Sequence, residues 1–281
     1  MGYKETAICP NLIGIGGQKC ATTWLSECLR QHPEVFMSSP KELRYFTDNK
    51  DRGFEWYSVF FQKSGSYKFR AEFSTNYLYH PGCARDIKAH FGEIKILAVV
   101  RDPVERSLSH IKHLIRDSIL PNKSGLISDG EIREIFASHP EVILNSLYFD
   151  SLCEYVDHFG RDSVLIISHE DINSRPDLVL KALWSFLGVN YPGVLRSESS
   201  IVGAGVVPKL QWLERARVAT YKFLKFRFPT ALNLSKELGI STLYRKLNDG
   251  GQLTLSEDAR MFILRRCEDD WNRTRALCVA L

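Results

Sequence analysis

The feature that most constrains this chain is a short apolar run that ends in glycines and passes straight into a helical pattern. Residues 11–17, Asn11-Leu12-Ile13-Gly14-Ile15-Gly16-Gly17, read as a buried strand entering a loop. From Thr22 the apolar residues Trp24, Leu25, Cys28 and Leu29 share one helical face, and the helix stops before Pro33. Strand, glycine loop and helix N-terminus in succession make an anion cradle, because glycines let backbone N–H groups turn inward and the helix end adds partial positive charge. Lys19 and the hydroxyls of Thr22 and Thr23 complete it. Gly17, Gln18, Lys19, Cys20, Ala21, Thr22 and Thr23 are therefore the candidate phosphate-binding residues. A plain strand–helix turn with a solvated lysine is the alternative.

The same alternation continues along the chain. Residues 94–100 and 163–167 are apolar enough for buried strands, and helical patterns cover 104–115, 147–159 and 177–187, the last ending at Gly188 as a C-cap. Such an order predicts an α/β fold with a central, mostly parallel sheet covered on both faces. Residues 258–276, with Phe262, Ile263, Cys267 and Trp271, read as a packing helix. Residues 117–146, with Pro121, Gly125, Gly130 and Pro140 around one short helix, read as an irregular excursion, and 196–208 and 228–252 carry no clear pattern. At 281 residues the chain suits a single domain over 1–281, with the excursions near 117–146 and 196–208 shaping an acceptor pocket.

The cradle departs from the loop that binds nucleoside triphosphates with magnesium. Cys20 follows Lys19 where that loop has a metal-binding hydroxyl, and the strand at 94–100 is followed by Arg101 before Asp102. A cation at this strand tip repels magnesium and attracts a second phosphate, so the expected site binds phosphate without a metal. Arg101 suits bidentate phosphate recognition, and the Ser109 hydroxyl, two helical turns on, can reach the same oxygens. The alternative pairs Arg101 with a carboxylate and leaves Ser109 on a helix surface. Two phosphate sites on neighbouring strand tips fit a nucleotide phosphorylated at both its 5′ and 3′ ends.

Composition narrows the partners. Thirty-seven basic against 33 acidic residues leave a net charge of +4, too mild for a nucleic-acid binder. The seven cysteines, Cys9, Cys20, Cys28, Cys83, Cys153, Cys267 and Cys278, form no CxxC pair and suit free thiols in a reducing compartment. Neither a leader pattern nor a membrane-spanning stretch appears, so a cytoplasmic protein is expected. The histidines show no metal-ligand spacing. Residues 209–227, with six cations, one anion and four aromatics, are either a helix packed on the sheet or a contact for a membrane surface, a carrier protein or an anionic acceptor.

Four segments taken together, Gly17-Gln18-Lys19-Cys20-Ala21-Thr22-Thr23, His32-Pro33, Lys41-Glu42-Leu43-Arg44-Tyr45-Phe46, and Arg101-Asp102-Pro103 through Ser109, resemble the PAPS-dependent sulfotransferases. PAPS is 3′-phosphoadenosine 5′-phosphosulfate. The pattern is most similar to the heparan sulfate sulfotransferases and their bacterial relatives, over roughly residues 11–190. The resemblance implies a P-loop-like three-layer α/β/α fold. It also implies PAPS as co-substrate with no metal, Lys19 and its loop on the 5′-phosphosulfate, and Arg101 and Ser109 on the 3′-phosphate. Glu42 is the implied base for the acceptor hydroxyl, with Lys19 on the leaving oxygen. Read without the family, Glu42 is a surface carboxylate beside Lys41 or Arg44.

The sequence departs from the family in three places. Arg44 stands where a histidine is common, and Phe73 in Glu72-Phe73-Ser74-Thr75-Asn76-Tyr77 replaces an acceptor-site lysine. The C-terminal basic–glycine loop has no recognisable counterpart, with Lys209 and Arg245-Lys246 as substitutes in its place. The implied acceptor is a hydroxyl of a glycan, a glycolipid or a small molecule. A P-loop-type ATP-dependent kinase and a non-catalytic binder of adenosine 3′,5′-bisphosphate are the competing functions.

Overall fold

The computed structural model describes residues 8–192, 209–210, 213–214, 216–217, 220, 248 and 250–280. The excursion at 196–208, most of 209–227, and Arg245 and Lys246 lie outside the described residues, as does nearly all of 228–252. The described chain forms two compact units. The first takes residues up to 103, from 144 and from 267; the second takes 104–143 and the remainder up to 266.

In the first unit, three strands arise from apolar runs buried on both faces: β1 (Leu12–Gly16), β4 (Lys95–Val100) and β6 (Val164–Ser168). Two shorter strands, β2 (Val35–Met37) and β3 (Phe69–Phe73), complete a sheet of order β2-β3-β1-β4-β6 in which every neighbouring pair is parallel. Helices α1 (Thr22–Arg30), α2 (Gly53–Ser58) and α3 (Cys83–Phe91) fall between these strands. The α/β class is the one expected, with a sheet that is wholly parallel. β2 and β3 are additions to the strands read from the sequence.

The helix α4 (Pro103–Arg116) begins at the proline, as its pattern predicts. In the second unit β5 (Gly125–Ile127) pairs in parallel with β7 (Leu253–Leu255), and α5 (Asp129–Ser138) and α6 (Glu141–Leu144) follow β5. The irregular excursion expected at 117–146 is thus corrected to a strand and two helices. Ser128 and Glu131 form a reciprocal capping box that starts α5. The buried Arg106 guanidinium donates to the Val142 carbonyl at 2.8 Å and to His110 Nδ1 at 2.6 Å, which ties α4 to α6.

Further on, α7 (Phe149–Phe159) packs on β4 and β6 and against α3. Helices α8 (His169–Ser174) and α9 (Pro176–Leu187) follow β6, with Gly188 at φ 59° closing α9. The long α10 (Glu257–Leu277) ends the described chain. Its Asp270 carboxylate accepts the N–H groups of Tyr148 at 2.8 Å and Phe149 at 3.0 Å, so the start of α7 is capped from 121 residues away. The His32 ring is buried on Trp184, its Nδ1 accepts the Glu34 N–H, and its Nε2 donates to the Asn190 carbonyl. That histidine is a packing pin between α1 and the end of α9.

Candidate active site

The strand order places the site. From β1 the chain crosses to β2 on one side, and from β4 it leaves for β6 on the other. Loops that diverge at adjacent parallel strands open a crevice at their carboxyl ends, where ligands collect in such sheets. Lys19 follows β1 and Arg101 follows β4, so these two residues flank the crevice. The structure brings them into contact: an Arg101 Nη donates to the Lys19 carbonyl at 3.2 Å.

The loop between β1 and α1 is held in a shape only part of the residue alphabet accepts. Gly17 N–H donates to the Val99 carbonyl at 2.5 Å, and a Cβ on Gly17 would lie 2.7 Å from the Tyr79 hydroxyl and 3.0 Å from that carbonyl. Lys19 and Ala21 both take left-handed backbone, at φ 70° and 63°. These turns deliver the chain to α1, whose N-terminal N–H groups and dipole favour an anion. Thr22 is buried and Thr23 exposed at that end. Cys20 is buried under the loop, its Sγ 3.5 Å from the Gln18 carbonyl and 3.7 Å from the Tyr148 hydroxyl. Its contribution to a cradle is through backbone.

Glu42 lies in the loop after β2 with φ 68°. Its N–H donates to the Phe73 carbonyl at 2.9 Å, at the end of β3. The carboxylate accepts the Thr75 N–H at 3.0 Å and the Thr75 hydroxyl at 3.1 Å, and Lys41 Nζ donates to it at 2.8 Å. Arg44 Nε is 3.8 Å away. Lys41 also reaches Thr22 Oγ1 at 3.5 Å, so one ammonium joins the carboxylate to the first residue of α1. Glu42 stays about a quarter exposed. A carboxylate with fixed donors on one side and solvent access on the other is placed to take a proton from an incoming hydroxyl.

Phe73, the residue standing for a family lysine, is fully buried against Gly14, where a Cβ would fall 2.3 Å from its ring. Lys41 Nζ lies 5.4 Å from that ring's centre. Ser109 is partly exposed on α4 within the second unit. His110, beside it, accepts from Arg106.

Sequence reasoning missed several contributors. Thr75 sits in a quoted motif, but only the fold shows that its N–H and hydroxyl meet Glu42. Tyr148 is buried and donates to the Arg101 carbonyl at 3.0 Å while touching Cys20, so one hydroxyl links both strand tips. Glu72 is fully buried, and burial pushes its carboxyl up to about 7.

The sulfotransferase domain family matches residues 10–200, and the chain belongs to that family. Among curated proteins it is similar to the membrane-associated sulfotransferase kil1 of Dictyostelium discoideum, at 26% identity over 65% of this chain and 56% of that one. It is also similar to human heparan sulfate glucosamine 3-O-sulfotransferase 3B1, at 27% identity over 64% of this chain and 46% of that one. The chain thus spans about half the length of these relatives. A crystal structure of a sulfotransferase from Alicyclobacillus acidocaldarius superimposes with a TM-score of 0.61 and 26% identity, covering 68% of this chain and 85% of that one. The fold is accordingly the P-loop-like three-layer type.

Proposed function

We propose that this protein transfers a sulfonate group from PAPS to an acceptor hydroxyl, with Glu42 as base and Lys19 on the leaving oxygen. The residues present suit that donor. The 17–23 loop, left-handed at Lys19 and Ala21, and the Lys19 and Arg101 cations suit an anion, and the Lys41–Thr22 contact brings the Glu42 carboxylate to the same loop. PAPS supplies a sulfur bonded to a good phosphate leaving group. Glu42 accepts the acceptor's proton as the hydroxyl oxygen forms its bond to sulfur and the S–O bond to phosphate breaks. Lys19 neutralises charge on the departing oxygen, work that a fixed ammonium does without a divalent ion. Arg101 and Ser109 bind the 3′-phosphate in this reading.

The observation that carries the proposal is the Glu42–Lys41–Thr22 chain, which ties the candidate base to the helix end of the anion loop. The acceptor is assigned as a carbohydrate hydroxyl, on a glycan or glycolipid, because relatives act on heparan sulfate by name. The burial of Phe73 where the family carries a lysine favours an acceptor less anionic than that polymer. A reducing, cytoplasmic setting is supported by the seven cysteines, none of which forms a disulfide. Among the described residues no helix is long and apolar enough to cross a membrane.

The test incubates the protein with labelled PAPS and an extract of the native host, then seeks the sulfonate-bearing product by mass spectrometry. A labelled carbohydrate supports the assignment. Nucleotide binding by calorimetry with no transfer to any acceptor would instead favour the non-catalytic binder, and phosphoryl transfer from ATP the kinase.

A further inference from the structure

The charged group least expected in this core is Glu72. It lies on β3, between β2 and β1 in the sheet, has no exposed surface, and faces no cation among its described contacts. Its partners are hydroxyls. Tyr57 donates to Oε1 at 3.2 Å, Ser74 donates to Oε2 at 2.8 Å, and the Tyr77 hydroxyl bonds the same carboxyl. Two of these hydroxyls also act as acceptors. Ser74 Oγ receives the Arg44 N–H at 2.9 Å, and Tyr77 Oη receives the N–H groups of Tyr45 at 2.8 Å and Phe46 at 3.4 Å.

Three successive amides just past Glu42 are therefore held by oxygens whose own protons point at Glu72. That directionality has a consequence. A hydroxyl presents its lone pairs to an amide only if its proton goes elsewhere, and a buried carboxylate offers the strongest acceptor for it. The segment so held includes Arg44 at φ 52° and follows Glu42 at φ 68°, backbone that non-glycine residues rarely adopt without support.

We propose that Glu72 is a positioning residue for Glu42: its buried carboxylate orients the Ser74 and Tyr77 hydroxyls, which in turn fix residues 44–46 and the left-handed turn that aims the base. The role of Glu42 rests on the function proposed above; the hold on residues 44–46 does not. The groups facing Glu72 are Tyr57 of α2, Tyr77 and Ser74 beyond β3, Cys83 of α3, and Glu42 across the loop. Tyr57, Tyr77 and Cys83 are all pushed up by burial and keep their protons through neutral pH. Protonating Glu72 turns one of its oxygens into a donor and forces a hydroxyl partner to turn away.

The experiment compares wild type with Glu72→Gln, whose amide likewise cannot accept from every hydroxyl. In hydrogen–deuterium exchange at fixed pH, the Arg44, Tyr45 and Phe46 amides are expected to exchange at least about tenfold faster in the variant. The β4 amides stay as in wild type. In turnover, kcat is expected to fall roughly 10- to 100-fold at pH 8 with donor KM within about twofold, the pattern of a misaimed base. The kcat limb near pH 7 disappears in the variant. Wild-type exchange at the three amides, or a wild-type kcat and pH profile, would overturn the proposal. If Glu72→Gln does not fold, Ser74→Ala serves: it removes the Arg44 acceptor together with one donor to Glu72 and leaves Tyr77 in place, and unaltered exchange at Arg44 refutes the idea equally. Faster exchange with no sulfonate transfer by wild type would uphold the hold on the loop and defeat the proposed function instead.

Discussion

At the scale of single residues, Glu42 and Glu72 show opposite solutions to placing a carboxylate. Glu42 keeps solvent on one side and charged or N–H donors on the other, and the base role proposed for it needs both. Glutamine at position 42 keeps the shape and loses the basicity. Glu42→Gln is expected to lower kcat about 10²- to 10⁴-fold, the usual worth of a general base, with adenosine 3′,5′-bisphosphate affinity unchanged by calorimetry. Full turnover in that variant removes Glu42 as the base. Glu72, in contrast, has no cation beside it among the described residues, and burial pushes its carboxyl up from 4.5 to about 7. Between those two values the folded chain binds a proton that the unfolded chain has released, so this group's contribution to stability is fully present at low pH and is lost as pH rises towards 7. Glu72→Gln lacks the effect. The stability of wild type relative to the variant, from thermal melts, should therefore fall between pH 5 and pH 8, by up to roughly 3 kcal/mol. A constant difference across that range would show that Glu72 ionises normally. Evolution of a hydrophobic residue here would be simpler for stability alone, which is why a loop-positioning role is the more economical account of the charge.

At the scale of elements, what the sequence disclosed and what it hid have physical causes. β1, β4 and β6 are continuous apolar runs, and their pattern alone announces buried parallel strands. β3 is Phe-Arg-Ala-Glu-Phe, and its buried Glu72 breaks the hydrophobic signal; the hydroxyls of Tyr57, Ser74 and Tyr77 make the charge tolerable, and only the fold shows that they meet it. β2 and the β5–β7 pair have three residues per strand, too few for any periodicity. The Ser128-x-x-Glu131 capping box that opens α5 was a readable signal within a segment that its prolines and glycines made look irregular. Of the residues proposed for the site, Arg101 follows β4 at once and Lys19 follows β1 within three residues, positions that a sequence displays; Tyr148 was not legible, since its contacts with Arg101 and Cys20 bridge 47 and 128 positions. The same is true of the Asp270 cap on α7. Asp270→Ala leaves two buried-end N–H groups without their acceptor and should cost about 1–2 kcal/mol, lowering the melting temperature by several degrees. Asp270→Asn, which retains one acceptor, should recover part of it. An alanine variant that melts with wild type would mean that water replaces the carboxylate at no cost.

At the scale of the whole molecule, the parallel sheet decides where charge accumulates and of which kind. The two strand tips that flank the crevice contribute Lys19 and Arg101, and the β2 loop adds Lys41 beside Glu42. In the triphosphate-binding version of such a loop, a hydroxyl follows the lysine and an acid ends the neighbouring strand, and together they hold magnesium. Here Cys20 lies buried in the first position, and Arg101 occupies the second with its guanidinium on the loop backbone. A buried thiol and a guanidinium in place of the metal's ligands predict that sulfonate transfer proceeds undiminished in EDTA, whereas a kinase-like mechanism would stop. They also predict stabilisation by the product nucleotide. Adenosine 3′,5′-bisphosphate at a hundred times its dissociation constant should add about 2.7 kcal/mol to the free energy of unfolding, seen as a rise in melting temperature that EDTA does not alter. Arg101→Ala removes one of the cations proposed to face phosphate and should cut that rise at the same nucleotide concentration, with the ligand-free melting temperature less affected. An equal rise in wild type and Arg101→Ala would place the second phosphate somewhere other than the tip of β4, and a rise that depends on magnesium would mean that the metal-binding version of the loop survives here despite its residues.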